Sequence, residues 1–221
     1  VYEGQLNRGP TPEDTYYDAV DISPFLREGN NTIAILVWYF GKDGFSHNSS
    51  GEAGLLFQCD EIGLASDGGS REMQFPGFEH SHWPYPNYRL PESNIRFNAQ
   101  NGDFGWVQPG TDLQGFRNAK VIGVAESPPW NKLIPRSIPM WKDYGLKDYE
   151  NRDEIPSLSE GGEIICKLPY NCHISPYLEI EAPSGFLINM QTDNYDYMGL
   201  NVASVRAEYV TREGVQQYDS P

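Results

Sequence analysis

The chain has 221 residues, 13% of them aromatic, with 22 Gly and 17 Pro, and its 16 Lys and Arg against 31 Asp and Glu leave a formal net charge of −15. That field repels a phosphate backbone and no basic cluster offsets it, which excludes nucleic acid as a partner class. The longest apolar run, residues 33–40, is far shorter than a membrane-spanning helix needs, so no membrane partner is predicted.

Abundant Gly, Pro and aromatic residues suit many short strands and turns, with few and short helices. Residues 1–7 read as a strand and turn, and 16–20 as the next strand. Asp21-Ile22-Ser23-Pro24 is a turn signal, with Phe25 and Leu26 as apolar anchors. Glu28-Gly29-Asn30-Asn31 is a second turn, since Gly and Asn tolerate positive φ. Residues 32–40 are β-branched and aromatic and predict a strand. Reversal through Asp43-Gly44 would return the chain along 54–58. Of the consecutive Trp38, Tyr39 and Phe40, one face should be core.

Leu64 to Gly69 is a turn cluster and 75–88 an ordered loop rich in Pro, Gly, His and aromatics. A strand is expected at 95–97, then a loop from 105 closing on a last strand near 120–122, with Trp106 as a core plug or a ligand platform. Residues 127–159 carry Pro128, Pro129, Pro135, Pro139 and Pro156, which block long secondary structure. Trp130, Leu133, Ile134, Met140, Trp141 and Tyr144 within it predict a connector packed against its neighbours. Strands resume at 164–168, 177–181, 186–190 and 205–211, with a turn at Pro183-Ser184-Gly185.

The predicted fold is therefore all-β: a jelly-roll-like β-sandwich over 1–125, a Pro-rich packed connector over 126–160, and part or all of a second β-sandwich over 161–221. Residues 22–26 and 174–178 share an Ile-Ser-Pro-aromatic-Leu pattern, which fits similar corners in both. No charged start, apolar stretch and small-residue cleavage site opens the chain, so its compartment is not legible from a leader.

The order of residues in 21–57, in 86–97, in 105–119 and in 205–216 resembles the N-terminal β-sandwich region of bacterial α-L-rhamnosidases, glycoside hydrolase family 78. The resemblance spans almost the whole chain in family order, though none of the four stretches is a catalytic motif, and it implies that the first sandwich starts in mid-domain and the second is truncated. It implies a periplasmic or secreted bacterial protein whose catalytic acid and base lie in a helical barrel that this sequence lacks. Glycoside hydrolysis needs two carboxyl groups facing each other about 5 to 9.5 Å apart, and nothing here singles out such a pair. No catalytic residue is predicted, and no hydrolysis by these residues alone.

The implied function is a non-catalytic β-sandwich portion of an α-L-rhamnosidase-like glycoside hydrolase that supports the catalytic domain and can contact carbohydrate substrate. Two alternatives stand beside it: a carbohydrate-binding module, and a structural interaction domain that docks on other domains of the same polypeptide. Sugars offer apolar ring faces and hydroxyl edges, so their sites pair aromatic platforms with carboxylates, amides and Arg. His82, Trp83, Tyr85, Asn87, Arg89 and Glu92, with Tyr88 among them, supply that mixture and are the candidates to contact a rhamnose-containing glycan. The competing reading is that Trp83 and Tyr85 wedge the loop onto the fold.

No metal or cofactor is predicted. Glu13, Asp14, Asp18 and Asp21 could supply oxygens to Ca²⁺ but read better as a solvated acidic rim, and Asp193-Asn194-Tyr195-Asp196 is equally ambiguous. His80 and His82 form the simplest two-ligand fragment, in a loop that need not align them. Cys59, Cys166 and Cys172 are expected to be free thiols. Asn30-Asn31-Thr32 and Asn48-Ser49-Ser50 match the N-glycosylation pattern, which in a bacterial protein marks only surface turns.

Overall fold

A computed structural model of the chain describes residues 11, 13–39, 41, 49–80, 95–140, 142–172, 174–191 and 206–219. Strands come in chain order as β1 (Thr15–Tyr17), β2 (Gln58–Cys59), β3 (Leu64–Ala65), β4 (Arg71–Glu72), β5 (Phe78–His80), β6 (Ile95–Asn98), β7 (Arg117–Asn118), β8 (Leu133–Pro135), β9 (Tyr177–Ala182), β10 (Leu187–Gln191), β11 (Arg206–Val210) and β12 (Gly214–Asp219). Only single 3-10 turns interrupt them, and no α-helix occurs among the described residues. The all-β character expected from the Gly, Pro and aromatic content is what the chain shows.

The largest sheet has the order β10-β11-β6-β5. Its outer pairs are antiparallel and its central pair, β11 with β6, is parallel. The sheet thus joins β5 and β6, which precede the Pro-rich residues 126–160, to β10 and β11, which follow them. A two-stranded antiparallel ribbon of β9 and β12 lies against it.

Strand alternation explains the packing. Ile95 and Phe97 of β6 are buried, while Arg96 and Asn98 point the other way. Phe78, Phe97, Tyr209 and Ile188 share one lateral row across the four strands. Onto that row β12 lays Tyr218, with ring centroids 5.0 Å from Phe97 and 4.9 Å from Tyr209. Leu178, Ile188, Met190, Phe75 and Phe78 close the cluster. Edge and offset contacts among such rings add to the stabilisation from their buried area.

Two neighbouring corners carry the chain between sheet and ribbon. At one, Ser184 and Gly185 turn between β9 and β10, with Gly185 at φ +88°. At the other, residues 211–213 lead from β11 to β12 and Gly214 takes φ +86°. Thr211, wholly buried, ties them together: its hydroxyl donates to the Pro183 carbonyl and accepts from the Phe186 amide at 2.9 Å.

The strands predicted at 95–97, 177–181, 186–190 and 205–211 correspond to β6, β9, β10 and β11. Other expectations are corrected. The stretch 75–88, expected to be a loop, holds β5 at Phe78–His80, and the last strand expected near 120–122 is β7 at Arg117–Asn118. Residues 32–39 join no ladder among the described residues, and in the predicted return strand at 54–58 only Gln58 enters a ladder, with Ala65. Residues 164–168 form no strand, because Asn151 holds them instead, accepting from the Lys167 amide and donating to the Ile165 carbonyl, each at 2.8 Å. β-propensity supplies side chains that fit a sheet, but a ladder also needs a partner edge.

The Pro-rich segment is packed, though one piece is more regular than expected. β8 pairs in parallel with β1 through Thr15↔Leu133 and Tyr16↔Ile134. Pro135 closes that short strand, where a missing donor matters least. Arg136 then reaches Asp18 at 2.6 Å and lies 5.4 Å from the centroid of the Tyr16 ring.

Candidate functional site

Residues 81–94, which contain His82, Trp83, Tyr85, Asn87, Arg89 and Glu92, lie outside the described residues, and so do Tyr88 and the run 193–196. Their anchor points are defined. β5 ends at His80 and β6 begins at Ile95, and these two residues face each other across the ladder. Gln191 of β10 and Arg206 of β11, which bracket 192–205, are likewise paired. Continuing the register, His80, Ile95, Ala207 and Met190 form one lateral row. Both long connections therefore spring from the same end of the sheet.

The face opposite the aromatic row is polar. Glu79, Arg96, Glu208 and Asn189 sit side by side on successive strands. Arg96 Nε donates to Glu208 Oε2 at 2.7 Å, with Glu208 only 3% exposed and the Arg96 side chain 26% exposed. Glu79 and Asn189, at the flanks, are exposed. At about 4.8 Å per strand, Glu79 and Glu208 stand roughly 10 Å apart in the backbone. The Arg96 guanidinium lies between them and engages Glu208. The row is a lattice of charged hydrogen-bonding groups, with no nucleophile placed beside a base.

Trp106 lies on a 3-10 turn, Phe104–Val107, whose first turn is capped by Asp103 accepting from the Gly105 amide at 2.8 Å. Its ring is 6.1 Å from Phe75, and Phe104 stacks 5.6 Å from Phe97. This is the core-plug placement, although Trp106 Nε1 is buried without a hydrogen-bond acceptor among the described residues.

No family model, curated protein or solved structure matches this chain. Its functional reading therefore rests on its own residues and geometry.

Three acidic residues of the first segment have side-chain or backbone partners. Asp14 accepts from Thr11 at 2.9 Å, and Asp18 holds Arg136. Asp21 accepts from the amide and hydroxyl of Ser23, bonds that lower its carboxyl below the ordinary value. No three His, Cys, Asp or Glu residues converge among the described residues. The His80 side chain, Phe40 and residues 42–48, with Phe45, Ser46 and His47, fall outside the description. Trp38 and Tyr39 are both exposed, which corrects the expectation that one face of this segment is core. Tyr39 instead bonds Ser49 at 3.3 Å through its hydroxyl.

All three cysteines are free thiols. Burial pushes the Cys166 thiol up, and burial followed by the neighbouring Cys166 charge pushes up Tyr149. Burial also raises the Tyr209 phenol, with Arg212 opposing more weakly.

Sequence reading passed over Arg96, Glu208, Thr211 and Gln216, the polar residues that hold this sheet. A charged residue inside each of two apolar strands was a usable signal. What it lacked was the register that brings the two strands together.

Proposed function

We propose that this chain is a non-catalytic β-sandwich portion of an α-L-rhamnosidase-like glycoside hydrolase, supporting the catalytic domain and contacting its carbohydrate substrate. The supporting observation is the pairing of a buried aromatic centre with apolar segments left in solvent. Ile33, Ile35, Leu36, Val37, Trp38, Leu55 and Leu56 are all exposed. Residues 32–39 have no ladder partner and no backbone hydrogen bond to another segment among the described residues. A continuous apolar run of this kind suits a strand covered on both faces by further structure. In this reading that cover comes from the catalytic portion of the same polypeptide.

A second reading, as a carbohydrate-binding module, draws on the anchor geometry. The segment carrying His82, Trp83, Tyr85, Asn87, Arg89 and Glu92 and the segment 192–205 leave the sheet at one end, where loops from adjacent strands combine into binding surfaces.

Two measurements separate these readings. On an aryl rhamnoside, the 221-residue chain is expected to show no turnover, whereas the longer polypeptide of the same reading frame turns over. Hydrolysis by the 221-residue chain itself overturns the non-catalytic assignment. Titration with rhamnose oligosaccharides, followed by Trp fluorescence, is expected to saturate in the module reading and to weaken at least about tenfold in Trp83→Ala. A response unchanged by that substitution removes the loop from the site.

A further inference from the structure

Asn101-Gly102 is the one Asn-Gly pair in the sequence. A following glycine leaves its amide nitrogen open to approach by the asparagine side chain, because no Cβ stands in the way. Asn101 is exposed, and its carboxamide makes no hydrogen bond among the described residues. The nitrogen that would attack it is differently placed. Gly102 N donates to the Asn98 carbonyl at 2.9 Å, the same carbonyl that accepts from Asn101 N at 3.1 Å.

The turn holding these bonds is locked from several sides. Asn98 N donates to Gly77 O at 2.8 Å and Ala99 N to Val210 O at 2.9 Å. Asn98 Oδ1 accepts from Gln100 N at 3.0 Å, and Gln100 Nε2 reaches Ser184 Oγ at 2.8 Å. Gly102 is pressed beneath the core: a methyl there would sit 2.5 Å from Phe97 Cζ, and one on Gly77 would sit 2.7 Å from Gly102 Cα.

We propose that Asn101 is a self-modification site gated by this turn, converting to aspartate and isoaspartate only when Gly102 N releases the Asn98 carbonyl. The Gly102 amide, losing its proton, attacks Asn101 Cγ. The new N–C bond forms as the bond to the side-chain nitrogen breaks, and ammonia leaves with that proton. Water then opens the succinimide at either carbonyl, giving aspartate or its β-linked isomer, with no redox change. The β-linked product lengthens the backbone where two amides share one acceptor, and adds a negative charge beside the sheet. Gating follows because the closed turn contributes nothing to the rate, which scales with the fraction of time the turn is open.

The test is to incubate the purified chain in mildly alkaline buffer, native and in urea, and to follow the 95–117 region by peptide mass mapping and isoaspartate detection. The unfolded chain is expected to convert at Asn101, faster at higher pH, and the native chain at least about tenfold more slowly. Asn98→Ala removes the side-chain acceptor but keeps the carbonyl, and is expected to speed native conversion several-fold. Gln100→Ala, which frees the link to Ser184, serves the same purpose if Asn98→Ala folds poorly. Asn101→Ala is expected to abolish the mass gain. Equal rates in native and unfolded chains, no conversion in urea, or a gain that persists in Asn101→Ala overturns the proposal.

Discussion

Gln216 shows how a single side chain fixes a corner. Its Oε1 accepts from the Arg212 amide at 2.9 Å and the Tyr209 hydroxyl at 3.1 Å, while Nε2 donates to the carbonyls of Arg212 and Gly214. A buried carboxamide with every group engaged specifies one conformation, because losing it strands several partners. Tyr209 depends on that acceptor and also stacks in the core. Since burial raises its phenol above the ordinary value, the unfolded chain ionises first as pH rises. The stability this contributes is fully present below about pH 10 and is lost as pH climbs through the folded-state value. Urea midpoints measured from neutral to strongly alkaline pH should therefore fall, and fall less steeply in Tyr209→Phe. That variant should start about 1 kcal/mol less stable at neutral pH for loss of its hydrogen bond. Parallel pH profiles for the two proteins would show that Tyr209 does not carry the alkaline sensitivity. None of this was legible in the sequence, where Gln216 looks like an ordinary strand-face glutamine.

Among the elements, the parallel pair of β6 and β11 poses the hardest register problem. The strands are more than a hundred residues apart, with Arg96 and Glu208 separated by 112 positions, so no tight turn sets their alignment. The Arg96–Glu208 bond does so chemically: a slip of one strand by one residue would turn either Phe97 or Tyr209 away from the core and split the ion pair. Removing one partner leaves a charge in a largely buried place, so Glu208→Gln should cost about 3 kcal/mol. Arg96→Met combined with Glu208→Leu should regain much of that loss, as apolar replacements of buried pairs often do. Thermal or urea denaturation of the single and double variants checks this, and additive losses would deny the pair its register role. Three strands of the central sheet, β6, β10 and β11, were legible because their alternation is strong and their neighbours are apolar, whereas β5 lies in a Pro- and aromatic-rich stretch that reads as a loop. Residues 32–39, equally strand-like in composition, remain unpaired because composition cannot supply an edge.

Taken as a whole molecule, the chain exposes 16767 Å², against roughly 10,000 Å² for a compact monomer of its size. Large apolar side chains are among the exposed groups: Val124 and Leu158 are each 81% exposed, and Ile33, Ile35, Leu36, Val37 and Trp38 are exposed as well. Surfaces of this kind drive association. Concentration-dependent self-association is therefore expected in sedimentation experiments, and it should weaken when Ile35 and Val37 are both replaced by Thr, which keeps β-propensity while lowering apolarity. A strictly monomeric chain at all concentrations would contradict this account. By itself the sequence determined the all-β character and the positions of β6, β9, β10 and β11, because Gly, Pro and two-residue alternation act locally; β5 and β12 were not legible in it. It also brought forward the aromatic and polar run from His82 to Glu92. Only the tertiary structure decided that β6 lies beside β11, that the Pro-rich segment gives β8 to β1, and that the two long connections leave one end of the same sheet. Those choices depend on which distant edges meet, and the hydrogen bonds and packing that settle them exist only after the chain has folded.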